Sequence, residues 1–281
     1  GTDALAGQLR GLAMSGVVQV RADLVPELAS FVSANLDRAM FMASALHRFG
    51  LGPSEHPHAA RFWLGRADGR AALAVSLSNA GFLTVVCPDP DGAATLWPAV
   101  AEALCNRRIR GINGSDEAVL PLRTALGLTD RPARLDRPDP HYAMDLKDLI
   151  LPAGRGEARI VQAGDLALMT RWRLAYAIEV LGAPATDRSR DEAREAAERF
   201  LAEGTAALLC DGEVPLAMTA FNARTPEAAQ VGGVYTPVQL RGRGFARRAV
   251  AQHLAMARVD GARRAVLFAA SDEAARAYTA I

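Results

Sequence analysis

The sequence predicts an α/β fold of two tandem mixed α/β domains, the second lacking its last strands. Three observations carry this expectation. Strand-like and helix-like segments alternate along the chain, the same order of segments occurs twice, and the second occurrence stops earlier than the first. With 281 residues, half of them apolar, the chain is long enough for two domains of ordinary size. The expected division is 1–150 and 151–281.

In the first copy, Phe62 to Val75 reads as two apolar strands about the turn Asp68-Gly69, a β-hairpin signal. A strand ending Val86-Cys87-Pro88 leads to a helix, then a short strand over Arg108 to Ile112 and the tetrapeptide Ser115-Asp116-Glu117-Ala118. The chain goes on through Gly127-Leu128, and His141 to Leu149 reads as a terminal strand of this domain. Arg131-Pro132, Arg137-Pro138-Asp139-Pro140 and Pro152-Ala153-Gly154-Arg155-Gly156 break regular structure, which puts the boundary near Leu151.

The second copy opens with a strand at Ala158 to Val161. Asp165 then caps a helix from Leu166 to Leu181, which stops at Gly182 before Pro184. A charged amphipathic helix follows over Asp187 to Leu201. The hairpin recurs as Leu209 to Met218 about Asp211-Gly212. After it come a strand ending Val234-Tyr235-Thr236-Pro237, a helix over Arg247 to Arg258, a strand over Ala265 to Ala269, and Ser271-Asp272-Glu273-Ala274, the same tetrapeptide.

The copies differ where chemistry is expected. Pro88 to Ser115 spans 27 positions and Pro237 to Ser271 spans 34. The longer copy contains Gln239-Leu240-Arg241-Gly242-Arg243-Gly244-Phe245-Ala246, in which two glycines open the start of a helix. Backbone N–H groups there can turn toward one anion, and the helix's first turn adds partial positive charge. A third glycine for a dinucleotide fingerprint is missing, because Arg247 stands in its place, and no Gly-Lys-Ser/Thr follows for a P-loop. In the first copy Asp89-Pro90-Asp91-Gly92 stands in the cradle's place. Two carboxylates repel a pyrophosphate and Pro90 has no N–H to give, so the first copy reads as a scaffold.

Gln-x-x-Gly-x-Gly after a strand ending Val-Tyr-Thr-Pro resembles the acyl-CoA loop of the GNAT acetyltransferase superfamily. The tandem pattern, with one intact and one degenerate copy, resembles its two-domain members. The resemblance implies that acetyl-CoA is the acyl donor and a primary amine the acceptor, joined by direct attack. It implies cofactor contacts at Val234, Tyr235, Thr236, Gln239, Arg241, Gly242, Arg243, Gly244, Phe245, Ala246 and Ser271, with the strand before the cradle splayed at a bulge. Ser271 to Tyr278 is similar to the superfamily's Asn-x-x-Ala-x-x-x-Tyr, which puts Tyr278 on the general acid; Leu122 occupies the matching place in the first copy. The usual strand glutamate is absent, since Gly232 and Gly233 occupy its positions. Glu179, sharing a helix face with Trp172 and Tyr176, is the replacement candidate for the base or for holding a cationic amine, against an ion pair with Arg171 or Arg173.

Family members continue past this tyrosine with two more strands, which implies here an unpaired sheet edge and weakened activity unless pairing completes the sheet. The missing glutamate keeps a non-catalytic acyl-CoA-binding regulatory module open as the alternative function, and a scaffold without cofactor as a further one. The acceptor itself, small molecule or protein amine, stays open.

Composition narrows the remaining classes. Lysine plus arginine number 32 against 31 acidic residues, with Lys147 the single lysine, so no global field recruits nucleic acid or an anionic membrane. Cys87, Cys105 and Cys210 are widely spaced and fit neither a disulfide framework nor a zinc site, which points to a cytoplasmic protein. No metal is expected: His56 and His58 have no partner at ligand spacing, and His253 reads as a core histidine. Ser15 and Ser54 lack a nucleophile elbow.

Overall fold

A computed structural model describes residues 16–281; Ser15 lies outside them. The chain forms two compact units that divide between Pro132 and Ala133.

The first unit has a five-stranded sheet in the order β1-β2-β3-β4-β5, formed by Gly16–Gln19, Ala60–Ala67, Arg70–Ser78, Phe82–Val86 and Gly111–Asn113. Its helices are α1 (Val25–Ala34), α2 (Leu36–Phe49), α3 (Trp97–Ala103) and α4 (Asp116–Ala125). The β2–β3 hairpin turns at Asp68-Gly69, both at positive φ (50° and 76°), as a tight hairpin requires. Two apolar layers cover the sheet, one of Trp63, Leu73 and Leu83 beneath α3 and α4, the other of Phe62, Leu64 and Ala74 beneath α1 and α2. Leu122 is fully buried.

The second unit has a six-stranded sheet in the order β6-β11-β10-β9-β8-β7. In chain order its strands are β6 (His141–Asp145), β7 (Glu157–Ile160), β8 (Ala206–Asp211), β9 (Val214–Arg224), β10 (Ala228–Tyr235) and β11 (Arg264–Phe268), and its helices are α5 (Leu166–Glu179), α6 (Asp187–Glu203), α7 (Phe245–Val259) and α8 (Asp272–Tyr278). Strands alternate with helices as expected, with ends shifted by one to three residues. Thr186 caps α6, its hydroxyl accepting from Ser189 N–H at 3.2 Å. Asp165 caps nothing at α5; its carboxylate accepts from Gln162 N–H and pairs with Arg159. Met169, Leu208, Met218 and Tyr235 form the core under α5 and α6; Phe221, Val231, Leu254 and Leu267 form the one under α7.

One expectation is corrected. The segment His141 to Leu149 does not close the first sheet; β6 pairs antiparallel with β11, from Arg264 opposite Asp145 to Phe268 opposite His141. The boundary therefore falls at Pro132 rather than near Leu151, and the β11 edge expected to be bare is covered. The pattern could not disclose this, because alternation shows that a strand exists and not which sheet it joins. Leu146, fully buried, anchors the segment: its N–H donates to Arg263 O at 2.7 Å and its carbonyl accepts from Arg258 at 3.1 Å.

Leu146→Ala should cost about 2–5 kcal/mol in urea unfolding, as for a core leucine; a loss below about 1 kcal/mol would mean that β6 is not docked. His253, stacked on Phe221 at 3.8 Å between centroids with Nδ1 unbonded, gives a second test. Burial, aided by Arg224, holds its pKa down at about 3, whereas an unfolded histidine titrates near 6.5. The unfolded chain thus binds the extra proton between these values, so stability falls as pH drops below about 6.5, by at most about 1.4 kcal/mol per pH unit. His253→Phe should flatten that slope.

Candidate active site

The site in the second unit starts from a mismatch between strands. Gly232 lies opposite Ala220 and Tyr235 opposite Met218, so β10 spends one residue more than β9 over this span. Gly233 absorbs the extra residue at φ +58°, a left-handed conformation that costs other residues about 1–2 kcal/mol. On its other side β10 pairs in parallel with β11 only as far as Val231 opposite Leu267. Beyond that the strands part, and a cleft of about 890 Å³ opens between them. The expected splay is therefore present, at the expected place.

A cradle lies at one end of the cleft. Gly242 and Gly244 have φ of +73° and +76°, and no side chain caps the first turn of α7, so its N–H groups face outward. A Cβ on Gly242 would meet nothing within 4 Å, which leaves the concavity open. Thr236 Oγ1 and Arg247 Nε are buried without a hydrogen-bond partner, one at the end of β10 and one on the first turn of α7. Unpaired polar groups beside open N–H groups suit an anionic, hydrogen-bonding ligand. In the first unit the corresponding turn is closed upon itself, since Asp89 Oδ1 accepts from Gly92 N–H at 3.0 Å.

The cleft is lined by Glu179, Val234, Tyr235, Thr236, Arg241, Gly242, Gly244, Phe245, Ala246, Ser271 and Tyr278, all anticipated from the sequence. Two anticipated residues are absent from it. Gln239 sits exposed in the short turn Val238–Leu240, and Arg243 lines a separate pocket of about 280 Å³ with Arg155, Arg247 and Arg248. Arg248 is committed to the fold, donating to Pro152 O, to Gly156 O at 2.8 Å and to Glu157. Ser271 caps α8, its hydroxyl oxygen accepting from Ala274 N–H at 3.2 Å, and its hydroxyl also helps to hold the Glu273 carboxyl below its ordinary range.

Glu179 takes neither of the partners weighed for it, Arg171 and Arg173. It accepts from Arg241 Nη2 and, at 3.0 Å, from the Tyr235 hydroxyl. Arg241 foremost, with Tyr235, holds the Glu179 carboxyl below its ordinary range against the opposing effect of burial. Arg241 also donates to Thr236 O at 2.9 Å, so one side chain ties α5 to the cradle's rim. Tyr278 is partly buried at the C-terminal end of α8; burial, and secondly Tyr176, pushes its phenol well above the ordinary tyrosine range. It is therefore protonated at neutral pH.

Residues that escaped the sequence reading as site residues include Tyr176, Arg137 and Arg247, which line the cleft, while Asn222 shapes the strand beside it. Tyr176 lines the cleft, with the Gly233 N–H directed at its hydroxyl. Arg137, ahead of β6, also lines it and holds Val180 O and Asp139. Asn222 is the bulged residue of β9, and its amide stands where a Gly232 side chain would go, 1.8 Å from a Cβ built there. Tyr176 had a signal, its helical spacing from Glu179; Arg137 and Asn222 had none.

Among solved structures, a tandem GNAT protein from the clavulanic acid biosynthesis pathway matches 91% of this chain and 90% of its own at 15% identity, with a TM-score of 0.50. A Drosophila protein solved as a structural-genomics target matches 94% and 92% at 15% identity, with a TM-score of 0.59. The chain has the tandem GNAT fold. At these identities the likeness is one of fold. No protein-family model and no curated protein sequence matches the chain. No helix of the described residues is long and apolar enough to cross a membrane, and no group of His, Cys, Asp or Glu among them fits a metal ion.

Two outcomes test this geometry. Gly233→Ala should cost about 1–2 kcal/mol from backbone strain alone, because its Cβ would meet Ala220 and Phe200 only at ordinary distances of 3.5 and 3.9 Å; denaturation measures it. Arg241→Gln should let the Glu179 pKa rise toward the ordinary carboxylate value, read by NMR titration, with stability changed by under about 1 kcal/mol because the pair is largely solvated.

Proposed function

We propose that the second unit is an N-acyltransferase that moves an acetyl group from acetyl-CoA to a primary amine, while the first unit is a degenerate copy with a scaffold role. The observation that carries this reading is the splay of β10 from β11, with an uncapped helix start and two orphaned donors at its mouth. Thr236 and Arg247, with the N–H groups of Gly242 to Ala246, would hold the phosphates. The open edge of β10 over Val234 to Thr236 would take the pantetheine arm as an added strand. Acetyl-CoA supplies an activated acyl group; the protein supplies placement and a proton. Tyr278, kept protonated by burial, gives its proton to the departing thiolate.

Glu179 is the carboxylate of α5 in the cleft, and its ion pair with Arg241 makes it a weak base until an acceptor displaces that partner. This one observation also favours a second reading, an acyl-CoA-binding regulatory module without turnover. In the first reading the acceptor amine would be met by the α5 side of the cleft, where Tyr176 and Glu179 stand.

A panel of amines assayed for CoA thiol release separates the two. Turnover should appear with at least one amine, and Tyr278→Phe should lower kcat by about 10²-fold or more while CoA affinity stays within about twofold. CoA binding without turnover on any amine selects the regulatory module. Thr236→Val should leave the stability of the free protein unchanged or slightly higher, since it removes a buried unpaired hydroxyl, and should weaken CoA binding in calorimetry.

A further inference from the structure

Inside the cleft a cation of the protein already sits among groups that would bind a foreign one. The Arg241 guanidinium donates through Nη2 to Glu179 Oε2 and through Nε to Thr236 O at 2.9 Å, and it lies over the Tyr235 ring, 5.6 Å from the centroid. The Tyr235 hydroxyl donates to the other carboxylate oxygen at 3.0 Å, which fixes how Glu179 is turned. Carboxylate, carbonyl and aromatic face are the groups that recognise an ammonium ion. All four residues line the cleft.

Glu179 is also the acid best placed to meet a cation there. Glu273, the second acid among the residues lining the cleft, is largely exposed and faces Arg276 of its own helix at 3.7 Å. Arg241, for its part, is loosely committed. Its side chain is 47% exposed and that of Glu179 35%, so the pair is largely solvated and contributes little to the fold. The next residue in the chain is Gly242, the first glycine of the cradle on which the diphosphate of the donor would rest. A diphosphate brings at least two charges and offers a guanidinium paired oxygens, a stronger counter-ion than one half-exposed carboxylate. Arg241 thus stands between two anions, one belonging to the protein and one to the donor.

We propose that Glu179, Thr236 O and the Tyr235 ring form the site for the acceptor's ammonium group, that Arg241 fills it in the free protein, and that acyl-CoA empties it by drawing Arg241 onto the diphosphate. The proposal rests on the acyltransferase reading above and names what frees Glu179. Donor and cationic acceptor then bind with positive coupling, each favouring the state in which Arg241 has left. An acceptor that is uncharged at this point gains nothing from the exchange.

The test follows the Glu179 carboxyl by NMR titration in the full chain, with CoA in place of acetyl-CoA so that nothing turns over. In the free protein Arg241 foremost holds this carboxyl below its ordinary range. Saturating CoA should raise its pKa toward the ordinary carboxylate value; in Arg241→Gln it should stand near that value already, and CoA should move it little. n-Butylamine, a cation at neutral pH, should bind about fivefold or more tightly to the CoA-loaded wild type than to the free protein, and within about twofold to free and loaded Arg241→Gln. n-Butanol should show no such difference, and Glu179→Gln should remove it. If CoA binds and the wild-type pKa stays where it was, or rises as far in Arg241→Gln, where only the field of the phosphates acts, the proposal is overturned. Equal binding of n-butylamine by free and loaded wild type overturns it as well. If calorimetry shows that CoA does not bind at all, the acyltransferase reading itself falls and takes the exchange with it.

Discussion

The site depends on one constraint: β10 cannot stay in register with β9 and β11 at once. The residue it spends beyond β9 is absorbed at Gly233, and past Val231 the strand turns from β11. That leaves a run of backbone N–H and C=O groups on β10 facing a void instead of a neighbour, a state that sheets ordinarily avoid. The void is tolerated because packing on both faces is complete without it, with Tyr235 and Met218 held beneath α5 and Val231 and Leu267 beneath α7. Rigid layers above and below keep the strands apart.

The two units show how little separates a scaffold from a binding site. Both follow a strand with a turn and a helix. In the first, Asp89 folds back on the N–H of Gly92 and spends it internally. In the second, glycines at +73° and +76° leave the N–H groups unspent, and the arginines that could have neutralised nearby acids are divided by role. Arg248 secures a loop, Arg241 braces the rim against Glu179, and Arg247 keeps a donor in reserve.

Much of this was legible in the sequence because local chemistry declares itself locally. Gly242 and Gly244, the Asp-Gly turns and the paired Ser-Asp-Glu-Ala helix starts each signal a backbone state that few other residues favour. The cleft residues from Val234 to Ala246, apart from Gln239 and Arg243, and Tyr278 followed from that pattern. What stayed hidden depends on long-range placement. The partner of Glu179 is Arg241, 62 positions away, where helical spacing offered only Arg171 or Arg173. Asn222 fills the space over Gly232 because β9 bulges, and nothing in its neighbours announces a bulge. The sheet to which β6 belongs was likewise beyond the reach of alternation.

The placement of β6 also orders events in time. Asp145 pairs with Arg264, 119 positions later in the chain, and the intervening strands all lie on the other side of β11. During synthesis β6 leaves the ribosome long before its strand partner exists, and its backbone N–H and C=O groups have no ladder until β11 arrives. The entropy of closing so long a loop grows only slowly with length, but contacts this remote in sequence form late. The wall of the cleft made by β11 thus joins the earliest and nearly the latest segments of its unit, so that this edge of the sheet cannot close before almost the whole chain has been made.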